Sequence, residues 1–241
     1  MKIFIGNIVW RDVAVGHAQA MQALVRDLDA QAIPYDDATV VGDALVSRAR
    51  SRAATAFLAS DADVLLTIDS DIWFQPEDAI SLCEKALADG VVAALYLTRN
   101  GPQPALMLPA GMPIIFARGA PLVEVPFVSS GFMAISRQVM EGVIQSLPWC
   151  DFWPCYMPFV SDYNGKNVYL SEDWAFCQRA REAGYHVWLD PGVRLGHVGT
   201  TLLTLEELLR TQRPEVGPLQ MLRDEDGTLH IDALELKKVN T

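Results

Sequence analysis

Two aspartates one residue apart, Asp69 and Asp71, close the apolar run at residues 63–68. In an extended segment residues two apart share a side, so both carboxylates can aim at one point. Carboxylates held close together repel unless a cation joins them. A divalent ion with oxygen ligands meets that need and can bridge to a diphosphate. The alternative is that both are turn and capping residues ahead of the helix that Pro76 opens. A second acidic pair, Glu172 and Asp173, lies between Ser171 and Trp174. With Ser171 as cap, acids in a first helical turn gain about 0.3–1 kcal/mol from the dipole. In the functional reading, one of them projects into a cleft as a general base. Spacing does not decide between these. The third site is Gly196-His197-Val198-Gly199, a histidine that its glycine neighbours leave accessible. One imidazole with carboxylates suits manganese better than calcium, although a lone histidine is commonly structural.

These groups need a scaffold. Residues 2–5 read as a first strand ending at Gly6-Asn7, and 16–30 as a helix with Ala20, Ala23, Leu24 and Leu28 on one face. A second helix spans 43–59, with Asp43 placed to cap it. Residues 63–68 form a continuous apolar run, as in a strand buried on both faces. The aspartate pair thus falls at a strand's carboxyl end, where open α/β sheets bind ligands. Pro76 opens a helix with Glu77 and Asp78 in its first turn, and 91–97 reads as another buried strand. The pattern loosens from 99 to 126, with short strands at 114–117 and 122–125. A helix at 137–146, an aromatic loop at 147–158 and a helix at 171–183 closed by Gly184 follow, then a strand at 185–189. The last forty residues carry a helix at 205–213 and a polar tail. With no internal repeat or compositional break, the chain reads as one α/β domain with a C-terminal extension.

Composition narrows the partners. The 241 residues hold 19 Lys+Arg against 30 Asp+Glu, a net charge of −11, and 51% are hydrophobic. The apolar share excludes global disorder. The acidic surplus argues against an extended nucleic-acid surface, which needs Lys and Arg. No stretch reaches the roughly 18 to 20 apolar residues of a membrane span, and the N-terminus turns polar too early for a signal-peptide core. The four cysteines, at 83, 150, 155 and 177, contain no CxxC pair. Cys150 and Cys155 could pair or share a metal; the simpler reading is reduced thiols in a cytoplasmic protein.

The order of motifs carries a resemblance. Asp69-Ser70-Asp71 is followed by Val128-Ser-Ser-Gly131-Phe132, then Glu172-Asp173-Trp174-x-x-Cys177-x-Arg179-Ala180-x-x-x-Gly184-Tyr185, then His197-Val198-Gly199. This order resembles glycosyltransferases of the GT-A fold, family-two-like, across residues 1–200. The resemblance implies a Rossmann-like nucleotide-binding half (1–100) with a mixed central β-sheet flanked by helices. An acceptor or catalytic half (101–200) and a helical extension (201–241) follow. Asp69 and Asp71, with Ser70 between them, would hold Mn²⁺ or Mg²⁺ against a nucleotide-sugar diphosphate, Asp71 more directly, and His197 would complete the metal or diphosphate site. Asp173 would be the base that takes the acceptor proton, with Glu172 in support. Gly131 and Phe132 would line the sugar pocket, while Gly6 and Asn7 fall where the family binds the nucleotide base. Ala49-Arg50-Ser51 looks like the family's Ala-Arg-Asn helix, so Arg50, or Arg48 beside it, would reach the nucleotide; a solvated helix face is the alternative for both.

The implied reaction moves a sugar from a nucleotide-diphosphate sugar, most often a UDP-sugar in this family, to an acceptor hydroxyl. Inversion with Asp173 as base is the favoured course, and retaining relatives share these motifs. A haloacid-dehalogenase-like phosphatase also uses Asp-x-Asp, but Trp73 stands where that family has Thr or Val. A nucleotidylyltransferase needs a basic Gly-rich loop that Gly6-Asn7-Ile8-Val9 does not supply. A glycan-binding module on the same scaffold is the non-enzymatic rival, and retention of Asp69, Asp71, Asp173 and His197 argues against it. The aromatics Trp149, Phe152, Trp153, Tyr156 and Phe159 could stack on sugar faces or form a small core under a loop. The acceptor is open among saccharide, lipid-linked glycan, protein and modified nucleobase. The extension could close over the donor or make a homodimer.

Overall fold

The computed structural model describes residues 1–98, 104, 106–108, 111–199, 202–204, 219–225 and 229–233. The first half alternates strands and helices: β1 (Ile3–Val9), α1 (Val15–Ala30), β2 (Tyr35–Val41), α2 (Val46–Ala59), β3 (Val64–Asp69), β4 (Ile72–Trp73), α3 (Pro76–Asp89) and β5 (Val91–Ala94). Short strands follow, β6 (Leu106–Met107), β7 (Ile114–Phe116), β8 (Val123–Glu124) and β9 (Phe127–Val128), then β10 (Phe132–Ser136) and α4 (Arg137–Ile144). The remainder is β11 (Phe159–Tyr163), β12 (Lys166–Leu170), α5 (Glu172–Glu182), β13 (Val187–Asp190), β14 (Gly196–Val198), β15 (Leu202–Thr204), β16 (Leu219–Arg223) and β17 (Leu229–Ala233).

Seven strands form the central sheet in the order β2-β1-β3-β10-β5-β13-β8. It is mixed: β1 runs parallel to β2 and β3, whereas β10 is antiparallel to both β3 and β5. The continuous apolar run predicted for residues 63–68 is β3, whose Val64–Ile68 are all buried between the flanking layers. Alternation divides its side chains. Val64, Leu66 and Ile68 join the core under α1 and α3, and Leu65 joins the core under α2, α4 and α5.

The first strand runs three residues beyond Gly6 because Ile8 and Val9 continue the pairing with Val40 and Val41. Several elements are absent from the sequence reading, among them β2, β10 and β11–β12. The edge strand β2 is half polar; β10 is a fully buried strand directly after Gly131; and β11–β12 is a hairpin that turns at Asn164-Gly165, both at positive φ. The described part of the extension differs from the expected polar tail. In its described part β16 pairs with β7 and β17, and Met221 is fully buried in the core. An apolar side chain on a paired strand explains the change; the helix expected at 205–213 lies outside the described residues.

Candidate functional site

The carboxyl ends of β3 and β5, the loop entering β10, the first turn of α5 and strand β14 supply the polar groups. Asp69 ends β3 on the face opposite Ile68, and its N–H donates to the Gly131 carbonyl at 3.0 Å. A turn begins at Ser70, so the extended alternation expected to align Asp69 with Asp71 stops there. The two carboxylates take different partners.

Asp71 meets His197. Nε2 of His197 lies 3.1 Å from Asp71 Oδ2, with both side chains largely buried. The small sheet β15-β14-β4 makes this contact across 126 residues: His197 pairs with Ile72, and the Val198 N–H donates to the Asp71 carbonyl at 2.7 Å. Nδ1 of His197 donates to the Leu97 carbonyl at 2.7 Å, which fixes the proton on Nδ1 and turns Nε2 toward Asp71. A carboxylate oxygen and an imidazole nitrogen converging in this way, with the second ring nitrogen anchored to a carbonyl, are a fit for a divalent cation. Among the described residues no three His, Cys, Asp or Glu side chains cluster as a ready-made cation cage.

Asp69 meets Arg50 instead. Arg50 Nη2 lies 2.9 Å from Asp69 Oδ2, Nη1 donates to the Ser130 carbonyl at 3.1 Å, and Nε is 3.7 Å from Asp173 Oδ1. Burial opposes the charge on Arg50, but Asp69 and Asp173 outweigh it and raise its pKa further. Asp173, 15% exposed, is pushed up to about 6 by burial; Arg50 opposes the rise, and Glu172 and Asp69 add to it. A buried carboxyl with a pKa near neutrality, partly open to solvent, is suited to accept a proton. Both expected first-turn acids, Glu172 and Asp173, start α5 behind Ser171 at the N-cap position, although the Ser171 side chain makes no capping bond.

Other expected contacts lie elsewhere. Ser70 is consumed by the fold: Oγ donates to the Asp12 carbonyl at 3.0 Å and its N–H to the Ile8 carbonyl at 3.0 Å. Gly6 is covered by α2, where an added Cβ would meet Ala53 and Leu65 at 3.3 Å. Asn7 is partly buried, and its Oδ1 has no protein partner. Phe132 is fully buried, 5.0 Å from the Phe74 ring, so it is core rather than pocket lining. Gly131 packs against the carboxyl cluster: a Cβ there would stand 2.4 Å from the Tyr96 hydroxyl and 3.0 Å from Asp69 Oδ2. Arg48 is held by Asp43, with Nη2 to Oδ1 at 2.7 Å, and Asp43 caps nothing by itself because α2 starts three residues later. None of the four cysteines is bonded to another; Cys150 is exposed and Cys155 buried. The aromatic loop divides, with Tyr156 stacked on Phe176 in the core and Trp149 exposed beside Trp153.

Sequence reasoning missed Tyr96 and Ser130. The Tyr96 ring packs edge-on to His197 with centroids 5.3 Å apart, and its hydroxyl accepts from the Gly131 N–H at 3.3 Å. It thereby links the Asp71–His197 and Asp69–Arg50 pairs. Its place just past the carboxyl end of β5 was the available signal. Ser130 acts through its carbonyl, for which side-chain identity carries no signal.

No protein-family model matches the sequence, and no curated protein matches it. Solved structures do match in shape. A197 from STIV superposes with a TM-score of 0.52 at 14% identity, over 100% of this chain and 99% of that one. GalNAc-T7, crystallised with UDP, GalNAc and Mn2+, superposes with a TM-score of 0.50 at 11% identity, over 83% of this chain and 43% of that chain. These likenesses concern the fold, which is the GT-A arrangement: a mixed seven-stranded sheet flanked by helices.

Proposed function

We propose that this chain is a metal-dependent glycosyltransferase that moves a sugar from a nucleotide-diphosphate sugar, a UDP-sugar foremost, to an acceptor hydroxyl with inversion. The observation that carries the reading is the meeting, on a GT-A fold, of the Asp71–His197 pair with a second carboxyl cluster, Asp69–Arg50–Asp173. GalNAc-T7, which shares the fold, was crystallised with UDP and Mn2+. Asp71 and His197 would hold Mn²⁺ or Mg²⁺, which when bound supplies charge stabilisation to the departing diphosphate. Asp69 belongs to the Arg50 pair and would take no direct part in holding the metal.

Asp173 is the base. It receives the acceptor hydroxyl's proton as that oxygen attacks the anomeric carbon opposite the leaving group, so no covalent intermediate is needed. Glu172, its neighbour in the first turn of α5, keeps an acidic rim on the acceptor side. Residues 1–100 would serve mainly the donor and 101–200 mainly the acceptor, with 201–241 as an extension. The acceptor class stays open among saccharide, lipid-linked glycan, protein and modified nucleobase. Among the described residues no helix is long and apolar enough to cross a membrane.

The test is a panel of nucleotide sugars incubated with Mn²⁺ and the full chain, reading nucleotide release and product mass. Release that requires Mn²⁺ and falls by about 10²–10⁴-fold in Asp173→Asn supports the reading. No release with any donor, alongside retained nucleotide or glycan binding, would favour a binding module on the same scaffold.

A further inference from the structure

Arg50 resembles a nucleotide contact in the sequence, yet its side chain is 3% exposed and engages the protein itself. Its partners come from distant parts of the chain: Asp69 at the end of β3, Asp173 in the first turn of α5, and the Ser130 carbonyl ahead of β10. That carbonyl also accepts from Thr67 Oγ1 at 2.8 Å, so β3, α2, the loop before β10 and α5 converge at one guanidinium. A guanidinium is planar, with five donors in a fixed fork, and can meet several acceptors at set angles. A lysine ammonium is a compact point charge and cannot reproduce that span. Asp69 and Asp173 are only 25% and 15% exposed, and without a cation between them their charges would push the strand end and the helix start apart.

We propose that Arg50 is a positioning residue that fixes the Asp173 carboxylate relative to the end of β3, so that the start of α5 and the Asp69–Asp71 turn act as one unit. Its catalytic meaning rests on the glycosyltransferase reading above; its geometry does not. Arg50 affects transfer through Asp173 and does not grip the donor. Two rival roles give other results: a donor contact would alter donor KM, and a packing role would alter stability everywhere.

The test uses the full chain as wild type, Arg50→Lys, Asp173→Asn and the double variant, reading nucleotide release with Mn²⁺ and the donor found in the panel. Arg50→Lys is expected to lower kcat by about tenfold or more while donor KM stays within about threefold. On the Asp173→Asn background the same change is expected to cost less than about threefold, since the two act through one step. A raised KM with unchanged kcat, or an undiminished loss on that background, overturns the proposal. Amide hydrogen exchange on the same chains without donor gives a readout independent of turnover. Protection at residues 69, 131 and 175–178 is expected to fall by about tenfold in Arg50→Lys, with α1 and α3 within about threefold of wild type. An equal fall throughout, or none at 175–178, overturns the coupling. If Arg50→Lys does not fold, Asp173→Asn, which keeps Arg50, is read in the same way, and an unchanged pattern there overturns it. Absence of turnover with every donor would count against the glycosyltransferase reading alone, because the exchange pattern still decides the coupling.

Discussion

Asp173 ties a stability profile to a rate profile. Burial, with Glu172 and Asp69 adding and Arg50 opposing, lifts its pKa from the ordinary 3.8 to about 6. For a group whose folded pKa is raised, the stabilising contribution is fully present below the unfolded pKa and is lost as pH rises through the folded one. With each tenfold change in equilibrium worth about 1.4 kcal/mol, the rise from 3.8 to about 6 corresponds to about 3 kcal/mol of stability lost between pH 4 and 7. Asp173→Asn removes the titration while keeping the shape, so the loss in that window should be absent from the variant. The assay is urea unfolding of both chains at half-unit steps of pH, read as the wild-type stability minus that of the variant. As the base, the same carboxyl should make kcat rise about tenfold per pH unit below 6 and level off above it. A difference between wild type and Asp173→Asn that stays flat within about 0.5 kcal/mol across this window would refute the claim that burial tunes Asp173.

Further outcomes follow from individual contacts. Asp71→Asn should abolish the Mn²⁺-dependent thermal stabilisation by uridine diphosphate, which in wild type at a hundredfold excess over Kd should be about 2.7 kcal/mol, or about 5–10 °C in Tm; an unchanged shift would remove Asp71 from the metal pair. Gly131→Ala places a methyl 2.4 Å from the Tyr96 hydroxyl, so unfolding should show a loss of about 1–3 kcal/mol together with weaker nucleotide binding. Wild-type values for both would mean that the loop before β10 yields freely. The Tyr156 hydroxyl is buried and has no protein partner, so Tyr156→Phe should leave stability unchanged or raise it, and a loss above about 2 kcal/mol would show an unrecognised bond.

The parts of this molecule that the sequence made legible are those whose pattern is local. The run at 64–68 carries a single polar residue, Thr67, and reads as a strand covered on both faces, and Pro76 with two following acids reads as a helix start. Gly184 does close α5, at a φ of +89°. What failed depended on distance. Whether Asp69 and Asp71 share a target is decided by where the strand stops, and whether Arg50 faces solvent is decided by Asp69 and Asp173, 19 and 123 positions away. Residues 132–135 give a four-residue apolar run that reads as well as a loop continuation until β3 and β5 flank it. The β11–β12 hairpin is a different case, because Asn164-Gly165 between two strand-length runs is a local signal of the strongest kind.

Charge supplies the remaining constraint on the site. Asp69, Asp71, Glu172 and Asp173 bring four carboxyls to the strand end and the start of α5, in a chain whose net charge is already −11. Arg50 is buried among them and its charge is spent on Asp69 and Asp173, so it offers no positive surface to an incoming anion. On the glycosyltransferase reading proposed above, a nucleoside diphosphate approaching this site would need a positive charge that Arg50 does not supply. On that reading the group that would accept one is the Asp71 carboxylate facing His197 Nε2, whose other nitrogen is already anchored to Leu97. The division of labour follows from electrostatics. One carboxylate is neutralised internally and sets geometry, the other is paired with an imidazole and suited to a cation, and the third, lifted by burial, is left to take a proton.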